Sequence, residues 1–456
     1  MVRTKRLRSA DLPNYERFRA PPVWGIEGGT AEEPLLPHPG EEIQVGNYSS
    51  QNLQKEGEEM RKLSLFTMLA ALITILVASQ VPCLSADVKT IKIGAVNSLT
   101  GWMAAGERPT NEGMELAVDW INEKGGITIK GTKYKLQLLS EDAKSSPEGI
   151  QAACTKLIEH DKVKFILGAT NPVMNIAASS VTEASKVLRV ASYMCASPDE
   201  VGPHHPMTFF ANTVVQSMRP VLTYLKETHP SVKRLALSHP GDGGGNHRRL
   251  RLEPIANELG FSIVYSEEWP GETVDFGVVI QKLLTSKPDA IVLTDGWAYH
   301  AGAQIKAARS LGFKGPIVAT NPEVVSEVLP ITGAEAAEGH FAAAWDMLDP
   351  AMKPIMQKEI IPRASKKFGR LNNWQPFGWS TLWMTAQAIE SSQSLDPVVV
   401  AQHLRKMKGL ESVLGPATVG GEKTFGIKCV ICQPQAIFVA KGGKSVFVRW
   451  TDTTTP

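Results

Sequence analysis

The sequence predicts an α/β fold made of two doubly wound lobes, each a parallel sheet covered by helices. Three observations carry the prediction. Strands and helices alternate from Asp87 onward, and the alternation comes as two series that part after Phe209-Phe210-Ala211-Asn212. At 456 residues the chain also exceeds what one hydrophobic core encloses. Its 43% hydrophobic and 21% charged residues mark a folded chain, not a disordered one. A net charge of +2 gives no basic surplus for nucleic acid or an acidic membrane.

The first series opens with an apolar strand at Ile91–Val96 and a helix over Pro109–Lys124. In that helix Met114, Ala117, Val118 and Ile121 form one buried stripe, and Gly125-Gly126 ends it. Strand Tyr134–Leu139 and helix Pro147–His160 follow, the latter carrying Ile150, Ala153, Cys154, Leu157 and Ile158 at helical spacing. Strand Lys164–Leu167, helix Val173–Lys186 and strand Val187–Ala191 complete the series.

The second series runs from a helix at Val215–Thr228 through strands at Arg234–Ser238, Phe261–Ser266, Ala290–Leu293 and Pro316–Ala319. Helices at Arg248–Leu259, Phe276–Leu284 and Ala301–Leu311 separate them, and a short helix begins at Glu323. Three further helices are predicted at Ala351–Lys367, Phe377–Glu390 and Pro397–Lys408. Lys428–Val439 and Ser445–Val448 read as two strands of a hairpin turning at Gly442-Gly443.

Ahead of all this, Met60-Arg61-Lys62 precedes an apolar run from Leu63 to about Val77, closed by small residues before Asp87. That pattern is a secretory signal peptide over residues 60–86; the run is short for a membrane anchor and meets Pro82. Residues 1–59 show no apolar periodicity. They are expected to be a leader, left untranslated when synthesis starts at Met60, or a disordered tail. The protein is therefore expected in the periplasm or outside the cell. Gln80 and Pro82 argue against lipidation at Cys83. Export permits disulfides among Cys154, Cys195, Cys429 and Cys432, which allow three pairings. Cys429 and Cys432 lack a second pair or a nearby histidine, so no metal is predicted, and no cofactor.

In open parallel sheets, ligands lie beyond the carboxyl ends of the strands. In the first lobe those loops carry Trp102, then Thr170 and Asn171, then Tyr193, Met194 and Cys195. In the second they carry Asp242 and Gly243, then Trp297, then Glu323. Among the tryptophans, Trp102 and Trp297 are the pocket candidates because each follows a glycine in such a loop; Trp345, Trp374 and Trp379 read as core. The glycine-rich stretch Gly241–Asn246 has the strand-to-helix setting of a nucleotide loop. It lacks the third glycine of a dinucleotide fingerprint and any Gly-Lys-Ser/Thr. His204, His205 and His300 read as exposed loop residues without metal partners, and no nucleophile-elbow serine occurs. An enzyme is not predicted.

Ordered motifs across the mature chain give a family resemblance. They are Ile91-Lys-Ile-Gly94 with Leu99-Thr-Gly101, Gly113-Met-Glu-Leu-Ala117 with Ile121-Asn-Glu-Lys-Gly-Gly-Ile127, Glu141-Asp142, Ile166-Leu-Gly168, Asp289-Ala-Ile-Val292, Gln304-Ile-Lys-Ala-Ala308, Glu338-Gly339 and Phe377-Gly-Trp379. With them the chain resembles the periplasmic leucine/isoleucine/valine-binding family of ABC transporters. The resemblance implies a type I periplasmic binding fold with a three-crossover hinge near Asn212, Trp345 and Gly415-Pro416. Lobe 1 would then comprise residues 87–211 and 346–415, and lobe 2 residues 212–345 and 416–456. It further implies a solute-binding protein that closes on a small ligand and delivers it to an ABC permease. A ligand-sensing receptor of the same fold is the alternative.

By the same resemblance Glu323 matches the acid that faces a ligand ammonium, and Trp297 and Phe377 match aromatic positions. The departures are Ala169-Thr170-Asn171-Pro172 in place of a hydroxyl-rich loop, Tyr193-Met194-Cys195 in the next, and Gly243–Gly245 where a tyrosine is usual. They weaken the amino-acid clamp, so an amino acid, an aromatic acid or an amide all fit as the expected solute.

Overall fold

A computed structural model describes residues 60–62, 64, 65, 68, 89–193, 199–241, 245–321 and 324–451. The chain divides into two compact units, Met1–Leu84 and Ser85–Pro456. In the first, the described residues Met60–Lys62, Ser64, Leu65 and Met68 are helical. The rest of the predicted leader and signal segment lies outside the described residues. Among the described residues no helix is long and apolar enough to cross a membrane.

The second unit holds two sheets. Its first half runs β1 (Lys89–Asn97), α1 (Ala104–Glu123), β2 (Ile127–Ile129), β3 (Thr132–Asp142), α2 (Pro147–Thr155), β4 (Phe165–Leu167), α3 (Pro172–Ala184), β5 (Leu188–Ala191) and β6 (Thr208–Phe210). Strands β3, β1, β4, β5 and β6 lie parallel side by side. The short central strands β4, β5 and β6 are buried at every position, as helices on both sides of a sheet require.

The chain then passes at Ala211–Thr213 to α4 (Val214–Thr228), β7 (Arg234–Pro240), α5 (Gly245–Glu258), β8 (Ser262–Trp269) and α6 (Gly277–Thr285). It continues with β9 (Ala290–Leu293), α7 (Ala298–Ser310), β10 (Ile317–Ala319), α8 (Val325–Thr332), α9 (Ala334–Ala337) and β11 (Phe341–Ala344). These strands form the parallel part of a second sheet, ordered β11-β10-β9-β7-β8. A second passage at Trp345–Met347 returns the chain to the first lobe. There α10 (Ile361–Phe368), α11 (Gln375–Ser392), α12 (Pro397–Leu404), β12 (Leu410–Ser412), β13 (Gly415–Gly420), α13 (Glu422–Phe425) and β14 (Val430–Cys432) follow. Finally β15 (Ala436–Lys441) and β16 (Lys444–Trp450) add an antiparallel hairpin to β11.

Three expectations change here. The third passage between the sheets is at Gln433-Pro434-Gln435, not at Gly415-Pro416, because β13 and β14 extend the first sheet beside β6. The predicted single strand Lys428–Val439 is thus two strands on different sheets. Pro434 has no N–H for a ladder and breaks the apolar run. Helix α1 also begins at Ala104, before Pro109, so that proline sits inside the helix and not at its start.

Cys154, Cys429 and Cys432 are buried free thiols, and Cys195 lies outside the described residues. Burial pushes all three described thiols up to about 12, so they serve as small core residues.

Candidate functional site

Helices α1 and α11 pack face to face, and at their closest point no side chain fits between them. A Cβ on Gly113 would stand 1.8 Å from the Gln375 carbonyl oxygen, and one on Gly378 1.7 Å from that of Thr110. This contact joins the middle of α1 to the start of α11 at the edge of a cleft between the two sheets. The cleft holds about 550 Å³ of empty space, its mouth included. Loops at the carboxyl ends of strands from both lobes line it.

From the first lobe come Trp102, Met103, Thr170, Asn171, Tyr193 and Trp374. The second supplies Pro240, Trp269, Gly271, Asp295, Gly296, Trp297, His300 and Asn321. Aromatic rings dominate. Trp297 meets Trp374 edge-on at 5.0 Å between centroids, and Trp269 is flanked by His300 at 4.7 Å and Phe276 at 5.0 Å. The Trp269 indole N–H donates to Ser238 Oγ at 3.0 Å, which fixes the ring's plane.

The lobes touch across the cleft. A Cβ on Gly106 would stand 2.1 Å from the Trp297 ring, and one on Gly271 would stand 3.4 Å from the ring of Trp102. Each lobe therefore offers a glycine as the seat for the other lobe's tryptophan.

The polar framework starts at Glu107, fully buried in the first turn of α1. Its carboxylate accepts from Ser98 N at 2.5 Å, from Thr170 N at 3.0 Å and from Thr170 Oγ at 2.5 Å. It thereby ties together the loops after β1 and β4. Burial raises its pKa, and the bonds from Thr170 and Ser98 pull the other way. Asp142 accepts from Leu99 N at 2.9 Å and Thr100 N at 3.2 Å, and Asn171 Oδ1 caps α3 by accepting from Val173 N at 2.9 Å. On the other side Asp295 accepts from Gly296 N at 2.8 Å and pairs with the fully buried Arg248.

His300 is buried, against the expectation of an exposed loop residue. Its place in the first turn of α7 turns the ring inward. Nδ1 accepts from Trp297 N at 3.1 Å, so Nε2 carries the proton and donates to Gly271 O at 3.0 Å. Burial pulls its pKa down to about 4, and the ring is neutral at pH 7.

Of the predicted site residues, the structure brings Trp102, Thr170, Asn171, Tyr193 and Trp297 to this one cavity. Phe377 stands one layer behind, stacked on Trp345 at 5.3 Å and 17° and 5.7 Å from Trp374. Met194, Cys195, Asp242, Gly243 and Glu323 lie outside the described residues. Trp374, read as core, lines the cleft because it precedes α11 where that helix starts beside α1. Trp269 and Glu107 carry no local sequence signal; only the meeting of loops far apart in the chain marks them, whereas Asn321 lies in the strand-end loop after β10 that also carries Glu323. Among the described residues no cluster of side chains could hold a metal ion.

This architecture has close counterparts among known proteins. A sequence profile described as periplasmic binding protein matches residues 90–434. The chain belongs to the periplasmic binding protein family. Among its relatives, the Leu/Ile/Val-binding protein of Escherichia coli K12 is 25% identical over 338 residues, covering 72% of this chain and 86% of that one. A leucine-binding protein from Thermotoga maritima MSB8 superposes with a TM-score of 0.64 at 20% identity, covering 79% of this chain and 98% of that one. A solute-binding protein of an R. palustris ABC transporter, in complex with 4-hydroxybenzoate, gives 0.65 at 19% identity, covering 80% and 97%. The fold is that of type I periplasmic binding proteins. The family consists of solute-binding proteins, which are not enzymes.

Proposed function

We propose that this chain is the extracytoplasmic solute receptor of an ABC importer, trapping a small organic solute by closure of its two lobes. One observation carries this reading: the cleft is lined from both lobes, and each lobe seats the other's tryptophan on a glycine. Such an arrangement forms a complete pocket only when the lobes are together, so binding energy goes into closing the protein. Three chain passages, at Ala211–Thr213, Trp345–Met347 and Gln433–Gln435, would serve as the hinge. The pattern at residues 60–86 supports export to the periplasm, and the membrane permease would then recognise the closed form.

The names of relatives point to amino acids and aromatic acids as solute classes, and the ring-rich cleft supports a solute with a flat apolar part. Burying such a group against these rings contributes about 1.5–3 kcal/mol. A thermal-shift panel of amino acids, aromatic acids, aromatic amines and amides tests the receptor reading. A solute at one hundred times its dissociation constant should add about 2.7 kcal/mol of stability. A panel with no stabilising member, together with unchanged solute uptake in cells lacking the gene, would refute it.

A further inference from the structure

Periplasmic-type clefts can hold an anion on backbone N–H groups at the starts of helices, where the helix dipole is positive. Among the described residues, seven such donors in the cleft loops are already taken by the protein's own side chains. Ser98 N and Thr170 N both donate to Glu107, and Leu99 N and Thr100 N to Asp142. Val173 N donates to Asn171 Oδ1, Trp297 N to His300 Nδ1, and Gly296 N to Asp295. Whether or not Glu107 carries a proton, the Ser98 and Thr170 amides stay committed to it.

Acceptors, by contrast, are left over. Asn321 is 3% exposed and lines the cavity. Its amide nitrogen donates to Gly296 O at 3.1 Å, while its Oδ1 is buried without a partner. A buried acceptor of this kind calls for a donor from the solute. Charge points the same way. Among the described lining residues there is no lysine or arginine, and the one acidic side chain, Asp295, is paired with the buried Arg248 behind it. A second depression, continuous with the cleft through Trp102, Trp269 and Gly271, adds the exposed carboxylates Glu268 and Glu272 at its mouth. Inside, Trp102, Trp269, Trp297 and Trp374 line the cavity, and an indole face is the surface that attracts an organic cation.

We propose that the solute is a small organic cation with a flat ring, an arylalkylamine in its ammonium form, held by tryptophan rings and acceptor oxygens, and not a carboxylate. This deepens the receptor reading above and rests on it. Glu268 and Glu272 steer the cation to the mouth, and their effect fades with salt.

Benzylamine, benzoate and benzamide are matched probes that differ in charge. Titration of the full mature chain at pH 7, followed by tryptophan fluorescence and calorimetry, reads their dissociation constants. Benzylamine is expected to bind at least tenfold more tightly than benzoate, with the gap narrowing as salt rises. In the double variant Glu268→Gln/Glu272→Gln, whose exposed side chains do not support the core, that gap should shrink severalfold. In Glu107→Gln, whose amide group accepts fewer bonds, benzoate should gain relative to benzylamine. Benzoate or benzamide binding as tightly as benzylamine would overturn the cation assignment and leave the receptor reading intact. No binding by any probe, or a gap insensitive to both variants, would overturn it as well; silence across the wider thermal-shift panel would take the receptor reading with it.

Discussion

His300 and Gly106 show how single residues set the cleft's behaviour. The folded pKa of His300 is about 4, below the ordinary value of 6.5. The unfolded chain therefore takes up a proton first as pH falls. The stability contribution of the neutral ring is complete above pH 6.5 and is lost progressively down to about pH 4. The loss should reach on the order of 3 kcal/mol. Thermal melts from pH 7 to 4 should show this decline, and His300→Asn, which keeps an acceptor for Trp297 N, should flatten it. An equal decline in the variant would assign the effect to other groups. At Gly106, a methyl group would stand 2.1 Å from the Trp297 ring, so the ring or the lobe that carries it must shift. Overpacking of about 1–3 kcal/mol applies only to the closed form, so Gly106→Ala should weaken solute affinity roughly tenfold or more at an unchanged melting temperature of the empty protein. The sequence made Trp102 and Trp297 legible, since each follows a glycine in a strand-end loop. Gly106 and Glu107 were not legible, because a close approach between lobes and a buried carboxylate joining two loops leave no periodic trace.

At the scale of elements, the strand–helix alternation was readable because apolar period and turn residues act locally. The six strand-end loops named from the sequence do follow β1, β4, β5, β7, β9 and β10. What failed was the apolar run Lys428–Val439, where one proline decides between a single strand and two strands on separate sheets. Residue hydrophobicity is the same in both cases, and the difference lies in ladder hydrogen bonds made to distant partners. The α1–α11 contact is a second case of long-range determination. Gly113 and Gly378 each face a carbonyl of the other helix, so either glycine-to-alanine change must push two backbones apart. Both variants should lose about 1–3 kcal/mol or more in denaturant unfolding. Wild-type stability in either would show that the helices slide freely past each other.

At the scale of the whole molecule, the jaws and the passages between the lobes are built from different chemistry, and mutations should separate them. Passages one and three run side by side and are bonded by two buried glutamines. Gln433 Nε2 donates to Ala211 O at 2.5 Å and its Oε1 accepts from Ser380 at 2.9 Å. Gln435 Nε2 donates to Asn212 Oδ1 at 3.2 Å and its Oε1 accepts from Ser217 at 2.8 Å. These bonds lie at the chain passages proposed as the hinge, and they are expected to persist whether the cleft is open or closed. Replacing either glutamine by leucine strands buried polar partners, at about 1–3 kcal/mol for each group left unsatisfied. Gln435→Leu should therefore lower the melting temperature of the empty and the solute-bound protein by the same amount, with the dissociation constant changed less than about threefold. Gly106→Ala should do the reverse, weakening affinity while sparing stability. A Gln435→Leu variant with tenfold altered affinity would mean that the glutamine bonds form in one state alone, and that passages one and three act as a latch instead of a pivot.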